Sequence, residues 1–299
     1  MIKTVLGNIE ASEINAVLCH EHICCYSEYL RKMSGNKNFC KEELCRAAVS
    51  RLKDLKETYD MNLFVDCTPV NIGRDIELLK AVSEKSGVHI VCSTGFYYSE
   101  EVILRYTPTD VLTEYYINDA KTVNAGIIKA AVEDENLSEY DKKLLIVSAN
   151  THKETGLPIV LHTNAKKRNG LKALEILIGQ GVSPSAVTVG HLSDTEDVDY
   201  ISKVAEYGCY IGLDRLHNDT SEKYISKKMS VISKLIDAGI TDRLLLSHDE
   251  LIYSEFDAVP QIDYNAGYNF VFDYILKLLP KETADKIIRK NPVKMLSCK

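Results

Sequence analysis

The chain has 299 residues, 45% hydrophobic and 26% charged, with 15 Gly and 7 Pro, a balance that excludes collagen-like, disordered and coiled-coil chains. Lys and Arg number 36 against 43 Asp and Glu, a formal charge of −7; with no basic stripe, a nucleic-acid partner is not expected. The longest apolar stretches are short β-like runs such as Leu144-Leu145-Ile146-Val147, far below the roughly twenty residues that span a bilayer.

Glu10 and Glu13 interrupt the segment a signal peptide would need. The nine Cys include no CxxC pair: Cys24 and Cys25 are adjacent and the rest are scattered. That spacing argues against a disulfide framework and for a reducing cytoplasm.

From the N-terminus onward one rhythm repeats. Runs rich in Val, Ile and Leu occupy 16–22, 62–68, 89–97, 125–132, 158–163, 187–191, 209–214 and 244–249, and amphipathic stretches lie between them. Leu44, Ala48, Leu52 and Leu55 mark one predicted helix, and Ile225, Met229, Ile232 and Ile236 another. Gly156 and Gly239 are predicted helix stops. Strand–helix alternation requires parallel strands, because each helix returns the chain to the starting edge. Eight units suggest an α/β fold closed as a (β/α)8 TIM barrel, although a doubly wound open sheet shares much of the pattern. No linker divides residues 1–299, so a single domain is expected.

In such a barrel the catalytic groups gather where strands end. The first run ends in Cys19-His20-Glu21-His22, whose period-two geometry puts both imidazoles on one face and Glu21 on the other. The fifth ends in His162, the sixth in His191 and the eighth in Asp249. One such His is more often a satisfied core residue. Four, with an Asp, leave many lone pairs unsatisfied unless a cation is present. The fourth run supplies Lys129 in Ile127-Ile128-Lys129-Ala130-Ala131. It could sit at the rim beside a carboxylate, or serve as a metal-bridging carboxylated Lys, since burial beside cations lowers an amine's pKa and lets it add carbon dioxide. Glu133 shares its parity but lies about 13 Å further on at roughly 3.3 Å per residue, so Lys129 is the preferred bridge.

This ordered set, with the flanks Phe64-Val65-Asp66, Gly73-Arg74-Asp75, Ser93-Thr94-Gly95-Phe96-Tyr97 and Gly212-Leu213-Asp214-Arg215, resembles the phosphotriesterase family of the amidohydrolase superfamily over residues 18–292. The resemblance implies two divalent metal ions per chain. His20, His22 and Asp249 would bind one, His162 and His191 the other, and N6-carboxylated Lys129 with a hydroxide would bridge them. Zinc suits these ligands first, with manganese, cobalt and iron as alternatives. Two cations make hydroxide available near neutral pH, and Asp249 would take its proton. Tyr97 resembles the Tyr of the lactonase branch, and Arg215 a pocket residue of some lactonases; their bland alternatives are packing and a surface ion pair. Tyr98 joins them as an expected substrate contact.

Lys166-Lys167-Arg168 is expected as a solvated helix start, with a substrate phosphate as the sharper alternative. Cys24 and Cys25 are expected to pack. The 250–266 segment should form a substrate wall, with Tyr253, Tyr264 and Tyr268 as candidate lining. The expected function is a metal-dependent lactonase or carboxylic ester hydrolase. Phosphotriester hydrolysis and a non-catalytic metal-binding barrel are the alternatives. The expected partners are a small-molecule substrate and a second copy of the chain, as relatives are commonly dimers, with no membrane partner.

Overall fold

A computed structural model describes residues 1–34, 39–99, 101–217, 219–256 and 260–297; Cys298 lies outside them. Eight strands follow in chain order: β1 (Ala16–Cys25), β2 (Met61–Asp66), β3 (His89–Gly95), β4 (Ile127–Ala131), β5 (Ile159–His162), β6 (Val187–Val189), β7 (Tyr210–Leu213) and β8 (Leu244–Leu246). Each pairs in parallel with its successor. A ninth, β9 (Leu251–Ser254), pairs in parallel with β1, placing Leu251 opposite His22.

The link between β8 and β9 seals the ring. Asp249 N donates to His20 O at 3.1 Å, and His22 N donates to Glu250 O at 3.0 Å. The expected TIM-type barrel is therefore present, closed by a split last strand. The eighth run was expected to continue to residue 249. It stops at Leu246 because the Glu21 carboxylate captures the backbone amides of His248 and Glu250.

Between the strands lie α1 (Lys41–Tyr59), α2 (Ile76–Ser86), α3 (Thr109–Val123), α4 (Glu139–Thr155), α5 (Asn169–Gly179), α6 (Val198–Glu206) and α7 (Glu222–Asp237). The predicted stripe Leu44, Ala48, Leu52 and Leu55 is the buried face of α1. In α7 Ile232 is buried, while Ile225, Met229 and Ile236 pack at the core's margin. Gly156 and Gly239 follow α4 and α7 as predicted.

Leu144-Leu145-Ile146-Val147 is a correction: this β-like run lies inside α4. Local signals outweigh its apolar character. Ser138 and Asp141 form a capping box that starts the helix, and the four side chains occupy helical positions, with Leu144, Leu145 and Val147 buried.

Val17, Leu63, Val65, Val91, Ile127, Val160, Tyr210 and Leu245 fill the barrel, and Ile2, Ile14, Met295 and Leu296 join the same cluster. The latter close the end at which strands begin: Val5 N bonds Ile90 O, and Asn291 Nδ2 bonds Leu244 O. The opposite end carries the polar side chains. Lys129 stands two residues beyond Ile127, and His162 two beyond Val160, so strand periodicity aims both inward.

β1 needs a further device. Leu18 pairs with Phe64 and Glu21 with Asp66, a bulge of one extra residue on β1. The bulge lets Cys19 belong to the interior cluster while His20 and His22 also face the axis. No helix of the described residues is long and apolar enough to cross a membrane.

Candidate metal centre

The structure brings His20, His22, Lys129, His162, His191 and Asp249 together at the strand ends. The first five are at most 6% exposed. Each imidazole has one nitrogen tied to an outer partner. His20 Nδ1 lies 2.6 Å from Asp214 Oδ2, and His191 Nδ1 lies 3.0 Å from Asp214 Oδ1. His22 Nδ1 lies 2.8 Å from Thr68 Oγ1, whose hydroxyl donates to Cys24 O at 3.4 Å. His162 Nε2 lies 3.5 Å from Glu133 Oε2.

The second nitrogens converge. His20 Nε2 is 2.7 Å from Lys129 Nζ and 3.6 Å from Asp249 Oδ1. His22 Nε2 is 3.0 Å from Asp249 Oδ1. His162 Nδ1 is 2.6 Å from His191 Nε2.

The outer partners set the tautomers. Carboxylates accept only, and the Thr68 hydroxyl spends its proton on Cys24 O, so each outer nitrogen carries the hydrogen. The inner nitrogens therefore present lone pairs, to each other in His162 and His191 and to a carboxylate oxygen in His22. Buried acceptors facing acceptors lack a partner that a cation would supply.

Burial, reinforced by the charge of Lys129, holds His20 down to about 4. Burial and the neighbouring His191 hold His162 well below its ordinary value. These rings are neutral at pH 7, the form that binds metal. Burial alone would raise Asp214, but the His191 and His20 imidazoles hold it well below the usual carboxylate range. His20, His22 and Asp249 offer donor atoms within 4.8 Å of one another. His20, His191 and Asp214 also cluster, but there Asp214 meets the outer nitrogens, so it orients them. The donor chemistry fits a cation pair.

Two of these residues adopt left-handed backbone, His191 at φ 62° and Asp249 at φ 55°. Glu21, on the outer face as expected, sets the second turn. Its Oε1 accepts from Ser247 Oγ (2.7 Å), His248 N (3.0 Å) and His248 Nδ1 (2.7 Å), and its Oε2 from Glu250 N (3.0 Å).

Beside the donors is a cavity of about 150 Å³ lined by His22, Cys25, Pro69, Ile72, Tyr97, Lys129, His162, Arg215, Asp249, Leu251 and Phe256. Tyr97 packs edge-on to His162 with ring centres 5.1 Å apart, and burial pushes its hydroxyl far up, leaving a neutral phenol. Tyr98 sits against both, 4.2 Å from the Tyr97 ring and 5.6 Å from His162, without joining the lining. Arg215 donates through Nε to Asp249 Oδ2 and through Nη1 to Asp194 Oδ2, both at 2.8 Å. Its carboxylate partners thus include one inside the site.

Other expectations fare differently. Glu133 stays outside the donor cluster, held by Asn164 Nδ2 at 2.7 Å. Lys167 pairs with Glu133 and Asp134, and Arg168 with Asp197. Cys24 is in the outer core, whereas Cys25 lines the cavity. None of the three wall tyrosines lines it. Tyr253 packs on Phe39, Tyr264 is half exposed and bonds Glu43, and Tyr268 donates to His22 O at 2.6 Å beneath the site. Leu251 and Phe256 represent that segment instead; part of it, 257–259, lies outside the described residues.

The orienting roles of Asp214, Thr68 and Glu21 were missed by sequence reasoning. A charged residue ending an apolar strand, as in Gly212-Leu213-Asp214, is the signal that could have found the first.

The family model described as "Phosphotriesterase family" matches residues 1–296. The chain belongs to the phosphotriesterase family. It is 29% identical to an aryldialkylphosphatase of Saccharolobus solfataricus over 97% of both chains. It is 27% identical to a phosphotriesterase homology protein of Mycobacterium tuberculosis, over 87% of this chain and 83% of that one. It is 25% identical to human N-acetyltaurine hydrolase over 100% of this chain and 98% of that one. This is a family of binuclear metal-dependent hydrolases, and the convergent His and Asp donors agree with membership.

Proposed function

We propose that the protein is a binuclear metal-dependent hydrolase that opens a lactone or another carboxylic ester. The observation that carries this is the clustering of four inward imidazole nitrogens beside a small cavity, those of His20 and His22 against Lys129 and Asp249 and those of His162 and His191 against each other. His20, His22 and Asp249 would hold one cation and His162 and His191 the other, with carboxylated Lys129 between them. Lys129 is 1% exposed and forms no ion pair among the described residues. Carboxylation would turn that costly buried ammonium into an anionic ligand. Zinc is the first candidate for both positions.

When bound, the cations would supply a water of lowered pKa and polarise the scissile group. The chain's own residues do the rest. Asp249 receives the proton of the attacking water, and Arg215, at 2.8 Å from Oδ2, keeps that oxygen oriented and stabilises its negative charge. Neutral Tyr97 offers an O–H to the ester's oxygen above His162. Leu251 and Phe256 line the apolar side of the cavity. Phosphotriester hydrolysis is the second reading, supported by the likeness to the aryldialkylphosphatase.

Elemental analysis after supplementation should give two metals per chain; fewer than about one would sink the proposal. Lys129→Ala should lose metal and activity together. A screen of lactones, esters and organophosphates separates the two readings by the class turned over. We also read residues 1–299 as one domain of a cytoplasmic homodimer; light scattering at the monomer's mass would remove the dimer.

A further inference from the structure

Asp214 follows β7 and is 1% exposed. Its carboxylate faces one imidazole from each donor group. Oδ2 accepts from His20 Nδ1 at 2.6 Å, while Oδ1 accepts from His191 Nδ1 at 3.0 Å and from the His191 backbone N–H at 2.6 Å. Two glycines back it closely. A Cβ on Gly190 would stand 2.9 Å from Oδ2, and one on Gly212 2.8 Å from it, so two glycines leave space for the carboxylate alone.

Hydrogens on both Nδ1 atoms leave lone pairs on His20 Nε2 and His191 Nε2, which belong to different donor groups. We propose that Asp214 is a positioning residue shared by the two cation positions, fixing the tautomer of one ligand in each. The proposal rests on the binuclear reading above.

The asymmetry of the contacts makes the consequence specific. In Asp214→Asn the amide oxygen stays on the Oδ1 side, where two N–H groups converge, and the NH2 replaces Oδ2. That NH2 meets His20 Nδ1 donor to donor. The ring relieves the conflict by moving its hydrogen to Nε2, which then has no lone pair for a cation. His191 is unaffected. Asp214→Ala, by contrast, releases both rings.

The test has two readouts independent of turnover. In zinc-loaded wild type, nitrogen-15 histidine NMR should show the hydrogen on Nδ1 of both His20 and His191. In Asp214→Asn, His20 should switch to Nε2–H. Metal titration of that variant should show one equivalent unchanged and the other weakened about 10–100-fold, while Asp214→Ala weakens both. Wild-type affinity for both equivalents in Asp214→Asn would overturn the proposal, as would an Nε2–H on either ring of the wild type. The wild-type spectrum decides even if the variants fail to fold. A wild type holding less than one metal would sink the binuclear reading, while the tautomers of the metal-free chain would still test Asp214.

Discussion

Glu21 offers the sharpest test of how the β8–β9 link is held. Four donors from Ser247, His248 and Glu250 reach its two oxygens, and its side chain is fully buried. A hydrogen bond to a charged group contributes about 1.5–3 kcal/mol, so Glu21→Ala puts about 6–12 kcal/mol at risk. That approaches the whole stability of a typical domain, about 5–15 kcal/mol. The informative change is therefore Glu21→Gln. Its amide oxygen can keep the three donors at Oε1, and its NH2 must then oppose Glu250 N–H. The bond to Glu250 is lost and two donors, the Gln NH2 and the Glu250 N–H, are left facing each other, about 2–6 kcal/mol in all. Urea unfolding of metal-free protein, followed by circular dichroism, measures this directly. A loss under about 0.5 kcal/mol would refute the idea that the Glu21 carboxylate holds the link.

Other outcomes follow from single contacts. Gly95 has φ 108°, and a Cβ there would stand 2.2 Å from Lys129 O; Gly95→Ala should cost about 2–6 kcal/mol through backbone strain and overpacking, and an unchanged melting temperature would contradict it. Hydrogen bonds from Arg289 and Lys290 hold Asp285 down to about 2. A depressed carboxyl stabilises the fold above its ordinary value near 3.8 and loses that contribution as pH falls from about 4 towards 2. Asp285→Asn should flatten this acid limb of a melting-temperature profile, and an identical limb would contradict the pairing. Burial pushes the Cys92 and Cys209 thiols up to about 12, while Cys40 is exposed. Iodoacetamide at pH 8 should modify Cys40 in the native protein and spare the other two; rapid labelling of either would show the core to be open.

The barrel and its donors were legible because they rest on period and position. Strand after strand ends in one polar residue that the topology carries to a common mouth. What escaped depends on geometry that no linear spacing records. The β1 bulge is invisible in Cys19-His20-Glu21-His22, yet it reconciles an interior Cys19 with an inward His20. Asp214 reads as one more acidic residue until the ring brings β1, β6 and β7 within reach of it. Apolarity misled at Leu144–Val147, where a capping box decided the conformation. It also misled at the tyrosines after Asp249. A large aromatic ring beside a site is as readily a support beneath it as a wall, and Tyr268, bonded to the backbone of His22, is such a support.

The two donor groups also differ in how far apart their members lie along the chain. His162 and His191 are 29 residues apart, on neighbouring strands. His22 and Asp249 are 227 residues apart and meet only across the seam between the first strand and the last. For a bare chain the longer closure costs about 1.8 kcal/mol more entropy, and folding favours the nearer contact first. A chain refolding in the presence of a coloured divalent ion such as cobalt should therefore show two kinetic phases: an early absorbance from the β5–β6 pair and a later one when the ring shuts. Ion uptake at the second position would then time the final step of folding.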